Sequence, residues 1–91
     1  MKKNLKVRIT GTLLGTLFRQ KARQRAEKLG LMGFAHNEAT DELYIEAEGE
    51  PEQVDQFAEW CQSDPGDGLA VEKVQVEEGE LQGYDRFLEK L

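Results

Sequence analysis

Ninety-one residues, 38% of them apolar and 33% charged, suffice for a single small domain over residues 1–91 and no more. That composition excludes a disordered chain, and no apolar run approaches the about 18 residues that cross a membrane. Cys61 is the one cysteine, which excludes an internal disulfide and a cysteine-built metal cluster. With an N-terminus, "MKKNLKVRIT", that has no apolar signal region, a reducing, cytoplasmic setting is the expectation.

The net charge of −6 is unevenly spread. Residues 1–36 carry nine Lys or Arg against Glu27 alone, whereas residues 37–91 carry seventeen acids against Lys73, Arg86 and Lys90. Either one face is positive enough to steer an anion, or the two parts interleave in space and neutralise each other; the second is the expectation.

Leu5, Val7 and Ile9 alternate with Lys6, Arg8 and Thr10, the period-2 pattern of a half-buried strand. Phe18, Ala22, Ala26 and Leu29 recur at helical spacing, with Gly30 as C-cap and Gln20, Lys21, Arg23, Gln24 and Lys28 on a solvated face. A second strand is expected from about Met32 to Asn37, a hairpin turn in "EATDE", and a third strand on Leu43, Ile45 and Ala47, broken by Gly49. Pro51 suits the first turn of a second helix, whose stripe is Val54, Phe57, Ala58 and Cys61 and whose end is the breaker run "SDPGDG". Val71, Val74 and Val76 mark a fourth strand. The tail "YDRFLEKL" reads as either a short final strand with Tyr84 and Phe87 or a frayed helix. The order βαββαβ is the ferredoxin-like arrangement of the α+β class: an antiparallel sheet with both helices on one face.

Chemistry concentrates in "GTLLGTLFRQ", residues 11–20. A turn from a strand into a helix N-terminus aims unpaired N–H groups at one point, with the positive end of the dipole behind them. Gly15 lets the backbone approach a ligand closely, and the guanidinium of Arg19 offers two-pronged hydrogen bonds to phosphate oxygens. Taken alone, such a loop is more often an ordinary turn with a solvated arginine. The Glu46, Glu48, Glu50 and Glu52 run reads as a solvated edge and not a metal site. Cys61 reads as a core residue and Trp60 as partly buried beside it.

The separate blocks, in one order, resemble the acylphosphatase family. "GTLLGTLFR" is similar to the signature Gly-x-Val-Gln-Gly-Val-x-Phe-Arg, with Gly11, Gly15, Phe18 and Arg19 on its fixed positions. "LGLMGFAHN" resembles the second block, ending at Asn37, and "EAEGE" resembles the close of the third strand. "FAEWCQSDP" with Ala70, Val71 and Val74 resembles the second helix and fourth strand. Leu14 stands where the signature has glutamine, and Thr16 and Leu17 where it has valine and a small or polar residue.

The resemblance implies a hydrolase that cleaves the carboxyl-phosphate bond of a small-molecule acyl phosphate, with no cofactor and no metal. It makes Arg19 the phosphate ligand, helped by the backbone N–H groups of Gly15, Thr16, Leu17 and Phe18, and Asn37 the residue that orients the attacking water. An asparagine can fix a water's direction without ionising, and a carboxylate leaves without a proton. His36, adjacent to Asn37 on a strand, is expected to face away. Inorganic phosphate or sulfate is expected to fit the same cradle; a monomer is expected, with neither membrane nor nucleic acid as partner. The competing reading is a non-catalytic anion- or RNA-binding module. RNA-binding domains of this fold stack bases on aromatics of the central strands, where this chain offers Tyr44 alone.

Overall fold

The computed structural model describes residues 1–12, 16–39, 41–63 and 70–90, with Thr12, Thr16, Leu17, Ala70 and Val71 as backbone only. The elements run β1 (Lys3–Thr12), α1 (Thr16–Lys28), β2 (Met32–Ala39), β3 (Glu42–Gly49), α2 (Pro51–Gln62), β4 (Ala70–Gly79) and β5 (Phe87–Lys90). They form one sheet in the order β4-β1-β3-β2-β5. β1 lies antiparallel to both β3 and β4, and β2 is antiparallel to β3. This is the ferredoxin-like arrangement. The tail resolves as a strand: β5 runs parallel to β2, making the sheet mixed, and begins at Phe87, with Tyr84 outside it. Thr40 in the hairpin turn and residues 64–68 of the breaker run lie outside the described residues.

The strand alternation sorts side chains as expected. Leu5, Val7, Ile9, Leu43, Ile45, Ala47 and Ala35 are buried on the helix-facing side, beneath Phe18, Ala22 and Ala26 of α1 and Val54, Phe57, Ala58 and Cys61 of α2. α1 lies over β2 and β5, and α2 over β1, β3 and β4. Burial pushes the Cys61 thiol well above its usual range, as suits an inert core residue. No described helix is long and apolar enough to cross a membrane.

Two glycines hold the frame that positions β2. Gly30 ends α1 at φ +73°, with the Leu31 N–H donating to Ala26 O at 2.9 Å and the Gly30 N–H to Glu27 O at 3.0 Å. These paired bonds form a Schellman motif, which turns the chain sharply into β2. Gly33, at φ +140°, sits so close to β3 that a Cβ there would meet Glu46 O at 1.9 Å. Its N–H donates to Arg86 O at 2.8 Å, just ahead of β5.

The two unequally charged parts of the chain interleave. Among the described residues, five of seven ion pairs join one part to the other: Lys3–Asp55, Arg8–Glu38, Arg8–Glu42, Arg19–Glu89 and Arg23–Glu89, beside Arg23–Glu27 and Arg86–Asp85.

The expectation of a solvated edge fails for Glu46 and Glu48. Glu48 is 4% exposed because residues 82–84 cross over it. Its carboxylate accepts from the Asn4 amide at 2.8 Å and from the backbone N–H groups of Gln82, Gly83 and Tyr84. Burial alone would push this carboxyl up; the bonds from Gln82, Asn4, Tyr84 and Gly83 outweigh it and hold the group below the ordinary glutamate value. The stabilisation from a lowered value is complete above the unfolded value of about 4.3 and is lost as the pH falls through the folded one. Glu48→Gln turns one acceptor into a donor facing N–H donors. It is expected to cost about 1–3 kcal/mol in urea unfolding at neutral pH and to flatten the acid side of the stability profile. Equal stability of the two proteins at pH 7 would contradict this.

Candidate active site

Arg19 lies in the first turn of α1, one residue after Phe18, whose buried ring fixes that turn against the core. The helix rotates Arg19 toward the sheet, where it is only 6% exposed. Asn37 reaches the same place from β2. It shares the helix-facing side with Ala35 and Gly33, two and four residues back along the strand. The β2–β3 register shifts between Asn37 and Ala39, an irregularity of the kind that re-aims side chains near a strand end. The hairpin is also tied to the end of β1: the Gly11 N–H donates to Asp41 O at 3.0 Å. Strand end, helix start and hairpin therefore converge.

The result is a direct contact. Arg19 Nη1 donates to Asn37 Oδ1 at 2.6 Å, a short charge-assisted hydrogen bond. Because a guanidinium only donates, the amide must present its oxygen to Arg19, which leaves both Nδ2 protons and one Oδ1 lone pair for another molecule. Beside them, the N–H groups of Thr16, Leu17 and Phe18 open α1 and by helix geometry lack acceptors within it. Gly15 and Leu14 lie outside the described residues, as do the side chains of Thr16 and Leu17.

Two charged residues join the pair that the sequence did not single out for it. Glu89 of β5 places Oε1 at 3.5 Å from Arg19 Nε and accepts from Arg23 Nε through Oε2 at 2.5 Å. Arg23, expected on the solvated face of α1, is drawn inward to this carboxylate and also donates to Glu27 at 3.2 Å. The signal for Glu89 was alternation in "FLEK": once Phe87 points into the core, Glu89 faces the same way. His36 lies, as expected, on the other face of the sheet with Phe34.

Fold and site together define a small ferredoxin-like α+β protein that holds a guanidinium and a carboxamide in contact beside the N-terminus of its first helix. The model of the acylphosphatase family matches residues 5–88, and an acylphosphatase from Rubrobacter xylanophilus is 36% identical over 87 residues, 96% of this chain and 78% of that one. The chain belongs to the acylphosphatase family. Among solved structures it is similar to an acylphosphatase from Coxiella burnetii, with a TM-score of 0.90 at 28% identity over 98% of this chain and 93% of the other. An acylphosphatase from Bacillus subtilis matches with a TM-score of 0.87 at 26% identity, covering all of both chains.

Proposed function

We propose that Arg19 and Asn37 are the catalytic pair of this acylphosphatase. The observation that carries the reading is the 2.6 Å bond between them, which joins the end of a candidate phosphate cradle to a group able to hold a water. The N–H groups of Arg19 not engaged with protein, with the backbone N–H groups of Gly15, Thr16, Leu17 and Phe18, bind the phosphoryl oxygens of a small acyl phosphate. Inorganic phosphate or sulfate competes for the same donors. Asn37 accepts from a water through its remaining lone pair and turns the water's own lone pair toward phosphorus.

As the water oxygen bonds to phosphorus, the bond from phosphorus to the acyl oxygen breaks, and its electron pair leaves with the carboxylate. The water's proton passes to a phosphate oxygen of the substrate. Arg19 and the backbone donors stabilise charge spread over the transferring group. The reading places this activity in a monomer, and the lone buried thiol suits a cytoplasmic setting. Incubation with benzoyl phosphate or acetyl phosphate is expected to release carboxylate and phosphate well above the spontaneous rate. A rate equal to the buffer blank would sink the reading.

The competing reading, a non-catalytic RNA-binding module, gains something from the open face of the sheet. Phe34 lies 5.8 Å from both Tyr44 and Tyr84, and Lys90 sits 4.0 Å above its ring. Both tyrosine hydroxyls, however, donate to Glu46, at 2.6 and 2.7 Å. That sets a carboxylate in the middle of the platform a phosphodiester would have to cross. Catalysis remains the better-supported reading, and a gel shift with RNA at low and moderate salt separates the two.

A further inference from the structure

We propose that Glu89 is a positioning residue for Arg19: it fixes the plane of the guanidinium and at the same time limits how tightly the site holds phosphate. The proposal rests on the catalytic reading of Arg19.

A guanidinium is useful to a phosphoryl group only when its fork is held at the right angle, and an arginine side chain has several bonds about which to turn. Asn37 fixes one end of the group, at Nη1. A single contact leaves the plane free to swing about it. The second point of control is at Nε, which is buried and has no hydrogen-bond partner among the described residues. Among the described residues the nearest anion is Glu89 Oε1 at 3.5 Å, an ion-pair distance but beyond an ordinary hydrogen bond. Closing that gap by roughly half an ångström would give Nε its acceptor at a normal length.

Glu89 is itself held. Its other oxygen is on Arg23 Nε, Arg23 is one helical turn beyond Arg19, and Arg23 Nη1 is anchored on Glu27. β5 fixes its backbone by pairing in parallel with β2, with Glu89 opposite Ala35, two residues before Asn37. Asn37, Arg19, Glu89, Arg23 and Glu27 thus form one chain of contacts across β2, α1 and β5. One carboxylate, shared between two guanidinium groups, keeps the cation at position 19 aimed. Its negative charge beside Arg19 also lowers the attraction of the site for an anion, which favours release of phosphate after each turnover.

The two effects have opposite signs in a Glu89→Gln variant, and that distinguishes aiming from mere structural support. The expected result is a fall in kcat of about 10-fold on benzoyl phosphate, as for loss of a group that orients a catalytic residue. Competitive inhibition by inorganic phosphate is expected to stay as strong as in the wild type or to become stronger. The Arg19 Nε–H resonance, identified by its disappearance in Arg19→Lys, is expected to move. Loosened packing would instead weaken turnover and phosphate inhibition together, with a lowered melting temperature. That result, or an unchanged kcat, overturns the proposal. Should Glu89→Gln not fold, Arg23→Gln, which leaves the Glu89 charge beside Arg19 but no longer holds it in place, is expected to lower kcat by a smaller factor and to move the Arg19 Nε–H resonance at an unchanged melting temperature; an unchanged kcat and resonance, or a lowered melting temperature, overturns the proposal. If Arg19→Lys itself kept full activity, the catalytic reading would fail first; if only the Glu89 and Arg23 variants behave like wild type, only this inference fails.

Discussion

Replacing Arg19 by lysine is expected to lower kcat/KM for benzoyl phosphate by about 10³-fold, although the charge is kept. The reason is geometric. The guanidinium faces three partners at once: Asn37 at Nη1, Glu89 beside Nε, and the space left for a phosphoryl group by its remaining N–H groups. A lysine ammonium is a single point with three donors on a flexible stem. It can approach Glu89 or reach toward phosphate, but it cannot span both and hold Asn37 as well. Arg19 itself is only 6% exposed, so partners left unsatisfied by the change are not simply taken over by water. Phosphate inhibition is expected to weaken in parallel, because the lost fork serves ground state and transition state alike. A thermal melt must accompany the assay, since Arg19 ties α1 to β2 and β5. A folded Arg19→Lys protein within about tenfold of wild-type kcat/KM would show that backbone donors alone carry phosphate binding, and the assignment of Arg19 would have to be withdrawn.

The reach and the limits of the sequence follow from which signals are local. Leu5, Val7 and Ile9 announce their strand because alternation is a property of neighbours, and Gly30 announces a helix end because few other residues take a φ of +73° cheaply. The βαββαβ order then restricts how the pieces can join. Contacts between distant segments were not legible in the same way. Asn37 is 18 residues from Arg19, and only the pairing of β2 beside β3, with its shifted register at Asn37, brings the amide to the guanidinium.

Glu48 shows the converse. In sequence it alternates with Leu43, Ile45 and Ala47 as an outward residue should, and outward it does point. What the pattern cannot show is that residues 82–84 return over that face and bury it. Glu89 fell between these cases, for four residues of tail were too few to tell strand from frayed helix. Once β5 is paired with β2, the carboxylate's position follows from Phe87 two residues before it.

The same convergence makes Asn37→Ala the sharpest test of roles within the pair. Expected is a fall in kcat of about 10²–10³-fold, or about 2.7–4 kcal/mol in the barrier, as for removal of one aimed hydrogen-bonding group. Two routes lead to such a loss, and they leave different traces. If Asn37 acts by orienting water, its work is done only as the new bond forms; kcat then falls while inhibition by inorganic phosphate, which needs no attacking water, is preserved. If Asn37 acts only by steadying Arg19, its removal strips Nη1 of its acceptor and lets the guanidinium turn toward Glu89, so phosphate inhibition weakens in step with kcat. The Oδ1 atom has two lone pairs and Arg19 uses one, so the geometry allows both tasks, and water orientation is the larger because Glu89 still restrains Arg19 from the other side. The expected outcome is therefore a large loss in kcat with phosphate inhibition changed by less than about threefold, and proportional loss of both would reassign Asn37 from the reacting water to the support of its neighbour.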